Sequence, residues 1–292
     1  MISSGLDTDY DLTTTESSRS VLLEVMTILG EYRESLVLIG GWAPYFLLSQ
    51  KSVVTSTVSL GVQSAPFRHI GSVDIDIAVN PKKITGDKYK TIVRLLQERG
   101  YRPDDEIKYR LNRIISGLPA PIGIDFLTTQ PALGKGRSRR HRKVQENLPA
   151  RATAHLEMAF QWNESLRLEA ELPEGCGRNS TMLQLASLPA MVGLKGLALG
   201  ERYKEKDAYD LYALARYYDS GIQEVINLLK PHVQDIGLKK GLENVREKFK
   251  SDKDAGPAWV ANFFSAASAD EKAHIIQDAF QTIDKVLKGC GF

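Results

Sequence analysis

The chain has 292 residues, of which 42% are hydrophobic and 25% are charged, and its formal net charge at pH 7 is +2. This size permits one large domain or two modest ones, and the composition is that of a soluble globular protein. The small net charge excludes a general attraction to nucleic acids or membranes, so any such contact has to be local. The two cysteines, Cys176 and Cys290, match neither a disulfide framework nor a metal-binding pattern.

The first 20 residues are polar and lack the basic and apolar segments of a secretion signal. No apolar run reaches the ~18 residues that a membrane span needs. We therefore expect a cytoplasmic protein without a membrane partner. We also expect residues 1–20 to form a loose arm, because helical spacing of apolar residues starts only at Val21.

Paired glycines mark the first predicted connection between a strand and a helix. The apolar run at residues 36–39 predicts a strand, which ends at Gly40-Gly41 before a helix that begins near Trp42. Backbone N–H groups at such a turn can face an anion, which predicts a phosphate cradle. A purely steric role for the glycines is the alternative. The Ser-, Val- and Thr-rich segment 51–67 is either a strand or an inserted loop.

The next predicted strand carries two acids. Apolar and polar residues alternate over residues 72–79, so Ser72, Asp74 and Asp76 share one face of the strand. Two carboxylates at this spacing can converge on one cation, and oxygen ligands suit Mg²⁺. An ordinary solvated face of a sheet is the alternative interpretation.

Later segments complete the expected fold. Further strands are predicted at residues 108–115, 121–127, 166–172 and 182–185. The second of these carries a third acid, Asp125, on its polar face. The pattern is helical from Leu188 onward. We therefore predict an α+β fold, in which a domain with a mixed sheet and helices (residues 1–185) precedes an all-helical domain (residues 186–292).

The densest positive run of the chain lies in a segment with glycines and without apolar residues, which predicts an exposed loop. Its members are Arg137, Arg139, Arg140, Arg142 and Lys143. Such a loop can neutralise RNA phosphates and make binding steeply dependent on salt. A solvated surface loop without a partner is the alternative.

A second charged cluster opens the helical half. If residues 195–211 form one helix, Lys195, Arg202, Lys206 and Asp210 lie within one stripe about 100° wide. Two glycines inside the segment can break this helix and change the phase. A salt-bridged, exposed helix is the alternative interpretation.

Together these motifs resemble the nucleotidyltransferase superfamily. Its pattern of a glycine turn, an Asp-x-Asp strand and a later acid is matched here by Leu38-Ile39-Gly40-Gly41, Asp74-Ile75-Asp76 and Ile124-Asp125-Phe126. The helical motif is similar to that of the AbiEii/AbiGii nucleotidyltransferase toxins of type IV toxin–antitoxin and abortive-infection systems. It is matched by Lys195-x-x-Ala198, Arg202, Lys206-Asp207 and Asp210-Leu211. The resemblance covers about residues 36–215.

Two features depart from the family pattern. Trp42 replaces the usual small hydroxyl residue, and the segment between Gly41 and Asp74 is longer than usual. In addition, Gly40-Gly41-Trp42-Ala43 is similar to enzymes that adenylylate aminoglycosides.

The resemblance implies a metal-dependent transfer of NMP from an NTP to an acceptor hydroxyl. The implied catalytic residues are Asp74, Asp76, Asp125, Lys195 and Asp210, and the first three would hold two Mg²⁺ ions. The implied nucleotide-binding residues are Gly40, Gly41, Trp42, Ser72, Arg202 and Lys206. The expected acceptor is an RNA or tRNA end, and the expected protein partner is an antitoxin. The alternatives are a small-molecule acceptor and a non-catalytic, nucleotide-binding regulatory module.

Overall fold

The computed structural model describes residues 10–51, 67–84, 86–130, 141–142, 150–264 and 268–292. The chain folds into two compact units. The sheet unit comprises the described parts of residues 11–43 and 72–187, and the helical unit comprises those of residues 1–10, 44–71 and 188–292. Of the segments with predictions above, residues 52–66 and the basic residues Arg137, Arg139, Arg140 and Lys143 lie outside the described residues.

The described residues of the sheet unit form one mixed sheet. Its strands are β1 (Leu36–Ile39), β2 (Ile75–Val79), β3 (Arg102–Pro103), β4 (Arg110–Arg113), β5 (Ile122–Thr129), β6 (His141–Arg142), β7 (Ala150–Thr153), β8 (Asn163–Glu171) and β9 (Arg178–Ala186). Their order is β3-β4-β5-β2-β1-β9-β8, and β7 pairs with β5 and β6. The β1–β9, β2–β5 and β5–β7 pairs are parallel and the others are antiparallel. The prediction of a mixed sheet is confirmed.

Helices dominate the second half of the chain, as predicted. The described α-helices are α1 (Leu12–Ile28), α2 (Trp42–Lys51), α3 (Gly86–Glu98), α4 (Glu157–Gln161), α5 (Leu188–Glu201), α6 (Glu205–Tyr217), α7 (Ile222–Leu229), α8 (Ile236–Lys248), α9 (Ala255–Phe263) and α10 (Ala269–Cys290). Helices α5 to α10 belong to the helical unit, together with most of α2. Among the helices described here, none has the length and apolar character needed to cross a membrane.

The first helix begins earlier than the sequence pattern predicts. Asp11 caps α1, since its side chain accepts a hydrogen bond of 3.0 Å from the Thr14 N–H. The expectation of a loose arm is therefore wrong for residues 12–20. Thr15 and Ser18 are buried on the inner face of α1, so polar residues interrupt the apolar period that marks a helix.

The central strands are the most buried part of the sheet. All four residues of β1 and the first seven of β5 are buried. Continuous burial of this kind is typical of strands that are covered on both faces, and it explains the apolar run at residues 36–39. The carboxylate of Asp125 lies in this buried stretch of β5, so it requires a charged or hydrogen-bonding partner.

Glycines bring two helices of the helical unit into backbone contact. A Cβ at Gly196 in α5 would lie 2.5 Å from the Gly241 carbonyl oxygen in α8, and a Cβ at Gly241 would lie 2.6 Å from the Gly193 carbonyl oxygen. Only residues without a side chain permit this approach. The close crossing fixes the position of Lys195, which precedes Gly196 directly.

Candidate active site

Strand pairing brings the predicted acids of the sheet unit together. β2 pairs with β5 so that Asp76 lies opposite Asp125, and β4 pairs with the other edge of β5 so that Arg110 lies opposite Asp125. Asp74 directly precedes the first residue of β2. Asp125 therefore meets Asp74 and Asp76, which are about 50 residues earlier in the chain, and Arg110 lies among them.

Arg110 joins two of these carboxylates. Its Nε lies 2.6 Å from Asp125 Oδ1, and its Nη2 lies 3.0 Å from Asp125 Oδ2 and 3.3 Å from Asp74 Oδ2. The ion pair with Asp125 is bidentate, a geometry in which the planar guanidinium forms two parallel hydrogen bonds with one carboxylate. Burial lowers the pKa of Arg110, but the hydrogen bond to Asp125 and the charges of the three aspartates raise it more, so the guanidinium stays charged. Burial raises the pKa of Asp125, and Arg110 limits that rise.

Asp76 rests against the glycine turn. Gly40 follows β1 with a φ of +70°, a conformation that favours glycine. A Cβ on Gly40 would lie 2.7 Å from the carboxyl carbon of Asp76. The predicted turn from strand to helix at Gly40-Gly41 is confirmed, while its role in phosphate binding stays a prediction. Ser72, the other polar residue predicted here, is 7% exposed.

Trp42 supports the site from the protein interior. Its side chain is fully buried, and its indole N–H donates a hydrogen bond of 3.1 Å to Ser18 Oγ. Ser18 Oγ in turn donates one of 2.8 Å to the carbonyl oxygen of Val73, the residue before Asp74. The indole therefore presents no surface to a nucleotide, which does not fit the expected binding role. The departure from the family pattern at this position has a packing function.

Residues 195–211 do not form one helix, so the condition for a single stripe of Lys195, Arg202, Lys206 and Asp210 is not met. α5 ends at Glu201 and α6 begins at Glu205, and the extended backbone of Lys204 (φ −133°, ψ 113°) separates them. The break folds the chain back, so that Lys195 on α5 contacts acids on α6. The charged residues therefore meet through buried ion pairs between α5 and α6, and not as neighbours along one helix.

These pairs form a charge cluster in the helical unit, the helical cluster, which consists of Lys195, Arg202, Lys206, Asp207 and Asp210. Lys195 Nζ lies 2.9 Å from Asp207 Oδ1 and 2.5 Å from Asp210 Oδ2. Lys206 Nζ lies 2.8 Å from Asp210 Oδ1. Arg202 donates bonds of 2.8 and 3.1 Å to the two oxygens of Asp207. Three cations and two carboxylates leave the cluster with one net positive charge.

Burial and charge act against each other in this cluster. Burial lowers the pKa of Lys206 to about 8, although Asp210 opposes the shift. The pKa of Lys195 is raised despite burial, because Asp207 and Asp210 stabilise its charged form. The pKa of Asp210 lies well below its ordinary value, since the two lysines outweigh the cost of burial. Asp210 is therefore a buried carboxylate at neutral pH.

His69 adds a neutral partner for Asp210. The Gly71 N–H donates to His69 Nδ1 at 3.1 Å, so the ring hydrogen is on Nε2. Nε2 lies 2.9 Å from Asp210 Oδ1 and donates to it. Burial lowers the pKa of His69 to about 4, so the ring is neutral at pH 7.

Three residues of these clusters are absent from the predicted sites. Arg110 lies on a predicted strand, but only the register between β4 and β5 places it beside Asp125. Asp207 belongs to the family motif, and its distance from Lys195 depends on the helix break. His69 is a single histidine without a recognisable motif around it, so no sequence signal could have identified its contact.

Asp74, Asp76, Asp125 and Arg110 form what we call the sheet cluster, and its chemistry suits a divalent cation in part. Carboxylate oxygens are the ligands that Mg²⁺ prefers. Within the part of the chain that the structure describes, no group of three or more His, Cys, Asp or Glu side chains is arranged to hold a metal ion. Arg110 engages both oxygens of Asp125, which would have to be released before that carboxylate could bind an ion. The role of Asp74 and Asp76 as metal ligands stays a prediction.

Comparison with known proteins points to one family. A family model described as "Nucleotidyl transferase AbiEii toxin, Type IV TA system" matches residues 71–286. This range includes every residue of the sheet cluster and of the helical cluster, but it does not include Gly40 or His69. No curated protein sequence matches significantly. Among solved structures, an antigenic nucleotidyltransferase-like protein from Paracoccidioides brasiliensis is similar at 16% sequence identity and a TM-score of 0.40, over 81% of this chain and 89% of that chain.

The contact between Gly40 and Asp76 predicts that Gly40→Ala displaces the Asp76 carboxyl group. The strain of a left-handed alanine costs about 1–2 kcal/mol, and the collision with Asp76 adds to it. Gly117→Ala is the matched control, because Gly117 has a φ of +86° with nothing within 4 Å of an added Cβ. Urea unfolding should show a larger loss of stability for Gly40→Ala. Equal losses in the two variants would contradict the contact.

The buried His69 predicts a loss of stability in mild acid. Its folded pKa of about 4 lies below the ordinary value of 6.5, so the unfolded chain binds the proton first. The stabilisation is complete above pH 6.5 and is lost as the pH falls toward 4, by about 3 kcal/mol. In His69→Gln this part of the decline in unfolding free energy should be missing, whereas the exposed-site control His274→Gln should keep it. A His69→Gln profile parallel to wild type would refute the account.

Proposed function

The chain belongs to the AbiEii family of nucleotidyltransferase toxins of type IV toxin–antitoxin systems, and on this premise we propose that it transfers NMP from an NTP to a hydroxyl group of RNA. An end of tRNA is the acceptor we favour. The sheet unit carries the acids and the glycine turn that this reaction needs. The observation that supports the proposal most is the position of Asp76, which is held against the Gly40 turn beside Asp125.

The sheet cluster would act on the triphosphate and the attacking hydroxyl. We propose that Asp74 and Asp76 hold Mg²⁺, which would stabilise the charge that develops on the phosphate oxygens. The backbone N–H groups of Gly40 and Gly41 would bind phosphate oxygens at the start of α2. Ser72, two residues before Asp74, would contribute to nucleotide binding, as the family resemblance implies. These residues orient the nucleotide, and orientation supplies a large part of the barrier reduction in such transfers.

The helical cluster would supply positive charge to the nucleotide. Arg202 has the most accessible side chain among its cations, at 48% exposed, so we propose that it contacts phosphate. Lys195 is only 8% exposed and bonds to the same Asp207 carboxylate as Arg202. We therefore propose that Lys195 acts by positioning Arg202 through Asp207. Asp210 would play the same positioning role for Lys206.

The finer assignments follow from the family and from the sequence. We propose a catalytic domain over residues 1–185, a helical domain over residues 186–292, and a cytoplasmic location in which an antitoxin partner restrains the enzyme. The basic run from Arg137 to Lys143 would bind RNA phosphates. Only His141 and Arg142 of this run lie in the described part of the chain, where their backbone forms β6.

The metal-binding role predicts that Asp76→Asn abolishes nucleotidyl transfer and leaves the fold intact. The amide keeps the volume of the side chain but loses the charge that attracts a divalent cation. Asp87→Asn is the matched control, because the Asp87 side chain is 96% exposed on α3. Transfer from each α-labelled NTP to total RNA should drop at least 100-fold in Asp76→Asn and stay unchanged in Asp87→Asn. Normal transfer by a folded Asp76→Asn protein would overturn the proposed role.

The same assay identifies the acceptor. Incubation with each labelled NTP, Mg²⁺ and total RNA should give labelled RNA, and RNA binding should weaken steeply as salt rises from 50 to 200 mM. Label in a small molecule would support an enzyme of the aminoglycoside-modifying type instead. Nucleotide binding without transfer would support a regulatory module. RNA binding that barely changes with salt would contradict a phosphate-based contact.

A further inference from the structure

We propose that Arg110 takes the place of a second metal ion, so that the sheet cluster binds one divalent cation rather than two. This inference rests on the proposed function, because it concerns the number of ions at the same site. It departs from the two-ion arrangement that the sequence resemblance implies. Asp125 is then the fixed partner of Arg110 and not a metal ligand.

The guanidinium lies where an ion shared by two of the acids would lie. Its Nε and Nη2 engage both oxygens of Asp125 at 2.6 and 3.0 Å, and Nη2 lies 3.3 Å from Asp74 Oδ2. An arginine at such a position is always charged. A metal ion between Asp74 and Asp125 would have to displace the guanidinium, since two cations at this range repel each other strongly.

The sheet is built to admit this side chain. A Cβ on Gly123 in β5 would lie 2.9 Å from Arg110 Nε and Cζ and 2.9 Å from Asp74 Oδ1. Any residue other than glycine at position 123 would push the guanidinium or the Asp74 carboxylate away. The Arg110 side chain is only 19% exposed, so its ion pairs are shielded from water and from dissolved salt.

The charge of the cluster matches a single divalent ion. Asp74, Asp76 and Asp125 carry three negative charges, and Arg110 offsets one of them. Among these four groups two negative charges remain, which one Mg²⁺ would neutralise. In the absence of a nucleotide, two divalent ions beside Arg110 would give these four groups and the ions together a net charge of +2.

The test counts the Mn²⁺ ions that the full-length protein binds, using electron paramagnetic resonance with Mn²⁺ alone and with excess Mg²⁺ as the competitor. Wild type should bind one ion, and Arg110→Gln should bind two, because Asp125 and Asp74 become available to a second ion. Arg110→Lys keeps the charge and should bind one. Arg113→Gln is the matched control on the same strand, since Arg113 pairs with Glu24 at 3.1 Å, and it should also bind one.

Several outcomes would overturn the proposal. Two ions in wild type would do so even if Arg110→Gln failed to fold, and they would leave the proposed transfer reaction standing. One ion in a folded Arg110→Gln protein would show that Arg110 does not occupy a second ion's place. Retention of the ion in Asp76→Ala would place it elsewhere. No displaceable ion in wild type would overturn the metal site of the proposed function, and this inference with it.

Discussion

The register of β5 against its two neighbours determines the chemistry of the sheet unit. The register places Asp125 opposite Asp76 on one side and opposite Arg110 on the other. A slip of one residue would turn Asp125 toward the opposite face of the sheet. Ile124 and Phe126, its neighbours, are fully buried, so the loss of their burial opposes such a slip. The apolar core therefore holds the charged groups in their places.

The two charge clusters have net charges of opposite sign. The sheet cluster carries two net negative charges from three aspartates and one arginine. The helical cluster carries one net positive charge and is largely buried, where electrostatic interactions are less weakened by water. In both clusters an arginine or lysine pairs with carboxylates inside the protein, so the removal of one partner leaves a buried charge uncompensated.

Features that depend on local sequence period were predictable. The alternation at residues 72–79, the glycine turn and the helical second half all follow from spacing within short segments. The start of α1 was not predictable, because its buried face carries the polar residues Thr15 and Ser18 in place of apolar ones. A break within residues 195–211 was anticipated at the two glycines, but its position after Glu201 was not predicted.

Contacts between distant segments were the least predictable part of the candidate site. Arg110 and Asp125 are 15 residues apart, and His69 and Asp210 are 141 residues apart. No short motif specifies either pair. The resemblance to a family directed attention to the acids, because family motifs record residue types in order. It did not reveal the arginine, whose effect on the acids comes from strand register and from the space left by Gly123.

The most direct test is a crystal structure of the protein with Mn²⁺ and a non-hydrolysable NTP, with the ion located by its anomalous signal. The account predicts one Mn²⁺ held by Asp74 and Asp76, with the triphosphate at the Gly40 turn and Arg110 still paired with Asp125. A Mn²⁺ ion coordinated by Asp125, or a triphosphate bound away from these aspartates, would contradict it.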